Sequence, residues 1–88
     1  MVSIIIVHYR ADGELYATLS SIQKNKPLAP FEIIVVDNDE KIRIKNELKE
    51  KFSEVKYVKG PSLGFGAGNN LGAKYAKGEY LFFLNPDT

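Results

Sequence analysis

The sequence predicts an α/β domain: an open parallel sheet of about four strands with helices on both faces, in the order βαβαβαβ. Two observations carry this prediction. Four short runs rich in β-branched or aromatic residues, Val2–Val7, Glu32–Val36, Glu54–Val58 and Glu79–Leu84, are separated by three segments with helical spacing. The first two runs are continuously apolar, as strands covered on both faces are. Strands that alternate with helices require a parallel sheet with right-handed crossovers.

Each element has its own signal. Val2–Val7 reads as a buried strand that begins almost at the first residue. In the next segment Leu15, Leu19 and Ile22 fall on one helical face, with Asp12 placed as an N-cap. After the strand Glu32–Val36, Ile44, Leu48 and Phe52 repeat at four-residue intervals behind Asp39, which is placed as a second cap. The other faces of that helix carry Lys41, Arg43, Lys45, Glu47, Lys49 and Glu50, the composition of a solvated surface. The strand Glu54–Val58 leads to a third helix on which Ala67, Leu71 and Tyr75 line up. Gly78 stands where a C′ stop belongs, before the last strand.

Composition narrows the function classes. The 88 residues make one domain. A formal charge of +1 gives no electrostatic case for nucleic acid or a membrane surface. There are no cysteines, which excludes disulfide frameworks and thiolate metal sites and suits a reducing compartment. The N-terminal apolar run is too short to span a bilayer, and no basic region or cleavage site accompanies it. The expectation is a cytoplasmic chain without a transmembrane segment.

In open parallel sheets ligands bind beyond the carboxyl ends of the strands, where strand order reverses. Four strand ends therefore matter. After the first, Tyr9 can stack on a base and Arg10 can meet a phosphate, or both can simply pack and be solvated. After the second, Asp37 can accept hydrogen bonds from a ribose or a base N–H, or it can cap the next helix; Asp39 suits the cap, which leaves Asp37 for a ligand. After the third comes a cluster from Gly60 to Gly72. Its glycines permit close backbone approach, and the helix that follows offers free N–H groups to an anion. Neither Gly64-x-Gly66 nor Gly66-x-Gly68 has a glycine three residues on, so the dinucleotide fingerprint G-x-G-x-x-G fails, and no Walker lysine follows. Tight helix–sheet packing explains several of these glycines but not Asn69 and Asn70, which are poor interior helix formers. After the fourth strand, Asn85-Pro86-Asp87 offers two oxygen ligands to a hard cation holding a diphosphate, or a plain turn.

Together these features resemble the N-terminal half of family 2 glycosyltransferases of the GT-A type, over essentially the whole chain. The resemblance rests on the strand VSIIIVHY, the strand end IIVVDND, the block LGFGAGNNLGAKYAKGEYLFFL and the tripeptide Asn85-Pro86-Asp87. It implies a nucleotide-diphospho-sugar transferase fold, with residues 1–88 as the nucleotide-sugar-binding part of a truncated domain. It also implies transfer of a sugar from a nucleotide diphosphate, UDP- or dTDP-linked, to an acceptor hydroxyl. Tyr9 would lie along the base and Asp37 would bind base or ribose. Asn69, Asn70 and Asn85 would sit near the nucleotide, and Asp87 would hold Mg2+ or Mn2+. Two positions depart from the family pattern: Asn85 replaces the first carboxylate of the Asp-x-Asp motif, and Asn69 stands where many members have arginine. The Asn-Pro-Asp form is similar to that of rhamnosyltransferases, which implies a dTDP-linked deoxysugar. The family's general base and acceptor site lie in its second half, so no catalytic residue is assigned, and the full-length protein would work at the inner face of a membrane.

Other classes weigh against this one. A non-catalytic assembly module of receiver type would need an acidic cluster after the first strand, where only Asp12 stands beyond His8-Tyr9-Arg10. A dinucleotide-binding domain fails on glycine spacing. One structural expectation is independent of function: with no neighbour, the apolar edge Tyr80–Leu84 would drive self-association.

Overall fold

The computed structural model describes residues 1–39, 44–60 and 65–84. Its elements are β1 (Val2–His8), α1 (Asp12–Lys24), β2 (Phe31–Asp37), α2 (Lys45–Lys51), β3 (Lys56–Lys59), α3 (Phe65–Tyr75) and β4 (Tyr80–Leu84). All strand pairs are parallel, in the order β3-β2-β1-β4. The chain thus moves outward from β1 through β2 to β3, then α3 carries it back across to β4. The reversal falls between β1 and β4, which places the expected crevice at the carboxyl ends of those two strands.

Side-chain alternation divides the core in two. Ile4, Ile6, Ile33 and Val35 face α1 and α2, where they meet Leu15, Leu19, Ile44, Leu48 and Phe52. The Tyr16 and Phe52 rings stack there with centroids 6.0 Å apart. Ile5, Val7, Ile34, Val36 and Val58 face α3, against Leu71, Ala73 and Ala76. Helices therefore cover both faces, and the four-residue apolar spacing in the second helical segment marks its buried side.

Three details differ from the sequence expectations. Neither Asp12 nor Asp39 is an N-cap. Asp12 is the first residue of α1, behind Ala11, and α2 opens at Lys45 behind Ile44 with no side-chain cap. On α3, Tyr75 is 50% exposed, while Gly68 and Gly72 are buried against the sheet. A β-carbon on Gly68 would lie 2.8 Å from Val7 Cγ1, and one on Gly72 would lie 2.4 Å from Ile5 Cγ2. The helix thus sits on β1 through its glycines, which an apolar-residue count overlooks. Gly78 is needed for space rather than for a left-handed turn: a β-carbon there would meet Ser3 Oγ at 2.6 Å and the Met1 carbonyl oxygen at 2.7 Å.

That last contact belongs to a junction at the amino end of the sheet. Ser3 and Glu32 are register partners on β1 and β2, and Ser3 Oγ donates to Glu32 Oε2 at 2.6 Å. The Lys77 N–H donates to the same oxygen at 2.6 Å, and the Gly78 N–H donates to Ser3 Oγ at 2.8 Å. Burial works to raise the Glu32 pKa. The hydrogen bonds from Ser3, Lys77 and Gly78 and the charge of Lys56 outweigh it, leaving the group below its ordinary 4.5. The segment Lys77-Gly78 is thereby tied to two strands just before β4 begins.

Candidate functional site

The carboxyl end of the sheet is built on Asp37, the last residue of β2 and wholly buried. Strand alternation puts it on the α1/α2 face with Tyr57 and Lys59 of β3, and with His8, its register partner on β1. The ladder runs one step further: the Asn38 N–H donates to the His8 carbonyl at 2.8 Å, and the Gly60 N–H donates to the Asp37 carbonyl at 2.8 Å. Strand β3 is set by this pairing. It starts at Lys56, two residues later than the sequence pattern suggests, because the chain turns through Ser53–Val55, and it ends where Lys59 meets Asp37.

Both carboxylate oxygens of Asp37 have internal donors. The Asp39 N–H reaches Oδ1 at 3.1 Å, and the Tyr57 hydroxyl reaches Oδ2 at 2.6 Å. Burial, the bond to Asp37 and the charges of Asp37 and Asp39 all push the Tyr57 pKa far above its ordinary 10.0, so Tyr57 stays a donor. Each carboxylate oxygen has a second acceptor direction, but with the residue wholly buried both oxygens are turned to internal donors in this structure. Lys59 Nζ donates to the backbone carbonyls of Asp37 and Asp39. Lys59 also lines a groove of about 430 Å3 between α2 and β3, together with Lys45, Leu48 and Tyr57.

The loop after β1 faces the same place. Tyr9 is 46% exposed, and the Arg10 guanidinium carbon stands 5.2 Å from its ring centroid. Arg10 Nε lies 3.9 Å from Oδ1 of the buried Asp39. Arg10 also has a φ of 51°, in the left-handed region that costs a non-glycine residue about 1–2 kcal/mol. Among the described residues it is the only non-glycine there. Beneath this loop, Nε2 of the buried His8 comes within 3.0 Å of Asp12 Oδ1.

Asn38 connects this side to α3. A β-carbon on Gly60 would lie 2.3 Å from Asn38 Oδ1, and one on Gly68 would lie 3.2 Å from Asn38 Nδ2. The Asn38 amide therefore occupies space that these two glycines leave open. Asn69 and Asn70 follow directly on α3, the first half-buried and the second exposed. The structure thus brings Tyr9, Asp37 and the α3 turn bearing Asn69 and Asn70 to one end of the sheet. Asn85 and Asp87 follow β4 and lie outside the described residues, as do residues 61–64 of the glycine cluster. Among the described residues no group of three or more His, Asp or Glu side chains could hold a metal ion, and no helix is long and apolar enough to cross a membrane.

Arg10, weighed from the sequence as a phosphate contact, lies at this site; Tyr57 and Lys59 also belong to it and are not singled out by the sequence reading. A signal for these two exists: in Lys56-Tyr57-Val58-Lys59 alternate residues share a face, and parallel pairing with β2 sets Lys59 opposite Asp37 and Tyr57 opposite Val35, one step down the same face.

Comparisons with known proteins agree with this architecture. The model of the family Glycosyl transferase family 2 matches residues 3–88. An uncharacterized glycosyltransferase of Haemophilus influenzae is 32% identical over 87 residues, which cover 99% of this chain and 29% of that protein. The poly(ribitol-phosphate) beta-glucosyltransferase of Bacillus spizizenii is 34% identical over 92 residues, covering 98% of this chain and 14% of that one. The crystal structure of S. aureus TarS 1-349 superposes with a TM-score of 0.80 and 26% identity, over 98% of this chain and 27% of the other. The parallel sheet with helices on both faces is thus the architecture of a GT-A glycosyltransferase, and the chain spans under a third of each of these proteins. With the family model covering nearly every residue, this chain belongs to glycosyl transferase family 2.

Proposed function

We propose that the carboxyl end of this sheet binds a nucleotide-diphosphate sugar, as part of a glycosyltransferase that passes the sugar to an acceptor hydroxyl. The observation that carries this reading is the placement of Asp37. It is a buried carboxylate at the strand end next to the point of strand reversal, with the exposed Tyr9 and the strained Arg10 beside it. Tyr9 offers a ring face to the base, Asp37 accepts from base or ribose, and Arg10 offers charge to the diphosphate. Asn69 and Asn70 supply amide groups from α3. Nothing favours a non-catalytic assembly module.

Asp87, with Asn85, would hold Mg2+ or Mn2+, which when bound offsets charge on the diphosphate leaving group. One carboxylate instead of two weakens that hold, so the expected metal dependence is shallow. The acceptor site and the general base would come from polypeptide beyond the matched segment. For the donor, the Asn85-Pro86-Asp87 form favours a dTDP-linked deoxysugar such as rhamnose. The relatives named as glucosyl- and N-acetylglucosaminyltransferases of poly(ribitol-phosphate) favour UDP. Self-association through the apolar strand Tyr80–Leu84 is a separate proposal.

Titrating UDP and dTDP separately into the 88-residue chain, with and without Mg2+, tests the reading by amide chemical shifts. The expected result is movement of the Tyr9, Arg10, Asp37 and Asn69 signals at millimolar nucleotide, with one nucleotide favoured. Shifts confined to other parts of the sheet, or none, would overturn it.

A further inference from the structure

Between β1 and α1 the chain turns through Tyr9-Arg10-Ala11, and the two residues that flank this turn touch each other. His8 ends β1 and Asp12 begins α1. The imidazole Nε2 lies 3.0 Å from Asp12 Oδ1. His8 is wholly buried, on the sheet face that carries Ile4 and Ile6 and beside its register partner Asp37. Neither ring nitrogen makes a well-directed hydrogen bond among the described residues. An apolar side chain could fill this place without leaving polar atoms unsatisfied, so a buried imidazole here calls for a reason. Packing supplies none. The contact with Asp12 does.

The turn that this contact spans is itself unusual. Ala11 stands at the cap position of α1, so no side chain caps the helix. Arg10 has a φ of 51°, a conformation that persists only where the surroundings impose it. Its Nε stands 3.9 Å from Asp39 Oδ1, and its guanidinium carbon 5.2 Å from the Tyr9 ring centroid. We infer that His8 is a positioning residue for the nucleotide diphosphate: by holding Asp12 it fixes the span of the turn and keeps Arg10 at the carboxyl end of the sheet. The inference rests on the nucleotide reading above, in which Arg10 meets the diphosphate. Without the contact, the turn can relax to a negative φ at Arg10 and carry the guanidinium away from Asp39. Binding then includes the cost of ordering Arg10 again, which lowers affinity although no group that touches the ligand is lost.

Two substitutions separate this role from the filling of space. His8→Met and His8→Gln introduce side chains of similar length, but only Gln carries a donor near the place of Nε2. UDP and dTDP are titrated into the 88-residue chain and its variants, with binding followed by amide chemical shifts. His8→Met should bind the favoured nucleotide about fivefold or more weakly with an unchanged far-ultraviolet spectrum, and His8→Gln should recover most of that loss. Asp12→Ala removes the other half of the contact at a partly exposed position, where folding is least disturbed, and should show the same loss. In an Arg10→Gly background His8→Met should cost no further affinity, because the group it positions is gone; a merely structural His8 would lower affinity in both backgrounds alike. Parent-like affinity in His8→Met or Asp12→Ala, no recovery in His8→Gln, or an undiminished loss in the Arg10→Gly background would overturn the inference and leave the nucleotide reading in place. A parent chain that binds neither nucleotide would overturn that reading, and this inference with it.

Discussion

Two carboxylates, one at each end of the sheet, are held in opposite ways. Glu32 at the amino end takes its hydrogen bonds from neutral donors, the Ser3 hydroxyl and backbone N–H groups of the Lys77-Gly78 segment, with Lys56 as the one charge acting on it. Around Asp37 at the carboxyl end are further charges, Asp39, Lys59 and Arg10, and a backbone held at a φ of 51°. The amino end is a fastening that joins three pieces of chain. The carboxyl end gathers buried charge and strain that a purely structural junction has no need of, and such strain clusters where proteins hold ligands. A hydrogen-bonded acid at a strand position does not by itself identify a site; its burial and the charges around it do.

Substitutions at the two ends should separate stability from binding. The largest effect on stability is expected from Gly78→Ala, because the new β-carbon would meet backbone, at 2.7 Å from the Met1 oxygen and 2.8 Å from the Ser3 nitrogen. A loss of about 1–3 kcal/mol in urea denaturation is expected, with nucleotide affinity of the folded protein unchanged. An affinity that fell in step would break the comparison.

Tyr57→Phe should cost about 1–3 kcal/mol at neutral pH, since it removes a donor from buried Asp37. It should also change the alkaline limb of stability. The Tyr57 pKa is raised in the folded state, so its contribution is full below its ordinary 10.0 and is lost as pH rises above that value. Denaturation between neutral pH and pH 11 should show a decline for the parent chain that is smaller in Tyr57→Phe.

Glu32 behaves in the opposite sense. Its folded pKa is lowered, so its contribution is full above its ordinary 4.5 and fades as pH falls through the folded value. Glu32→Gln should lower neutral-pH stability by roughly 1 kcal/mol and flatten the acid limb. An unchanged acid limb would place the acid sensitivity elsewhere.

The smallest change in stability, and one of opposite sign, is expected from Arg10→Gly. Glycine relieves the left-handed backbone, for a gain of up to about 1 kcal/mol, while nucleotide affinity should fall because the guanidinium is lost. A variant both more stable and equally tight would remove Arg10 from the site.

The fold was largely legible because its signals are local. Continuous apolar runs marked β1 and β2, and the spacing of Ile44, Leu48 and Phe52 marked one buried helix face. The misreadings arose where a neighbour decides. Asp12 and Asp39 have cap-forming side chains, but the helices begin one residue before and several residues after the positions that capping would require. The seat of α3 on β1 is made of Gly68 and Gly72, whose contribution is the absence of a side chain. At the site, Asp37 stood out by its position, whereas Tyr57 and Lys59 become visible only once β3 is registered against β2.

The most direct test of the account is to titrate the preferred nucleotide into three chains: the parent, Asp37→Asn and Glu32→Gln. Asp37→Asn keeps the shape of the side chain and removes its charge. Parent-like affinity is expected for Glu32→Gln and a loss of about tenfold or more for Asp37→Asn, as for a hydrogen bond to a charged group. Equal affinity in all three, or a loss only in Glu32→Gln, would contradict the claim that the carboxyl end of this sheet holds the nucleotide.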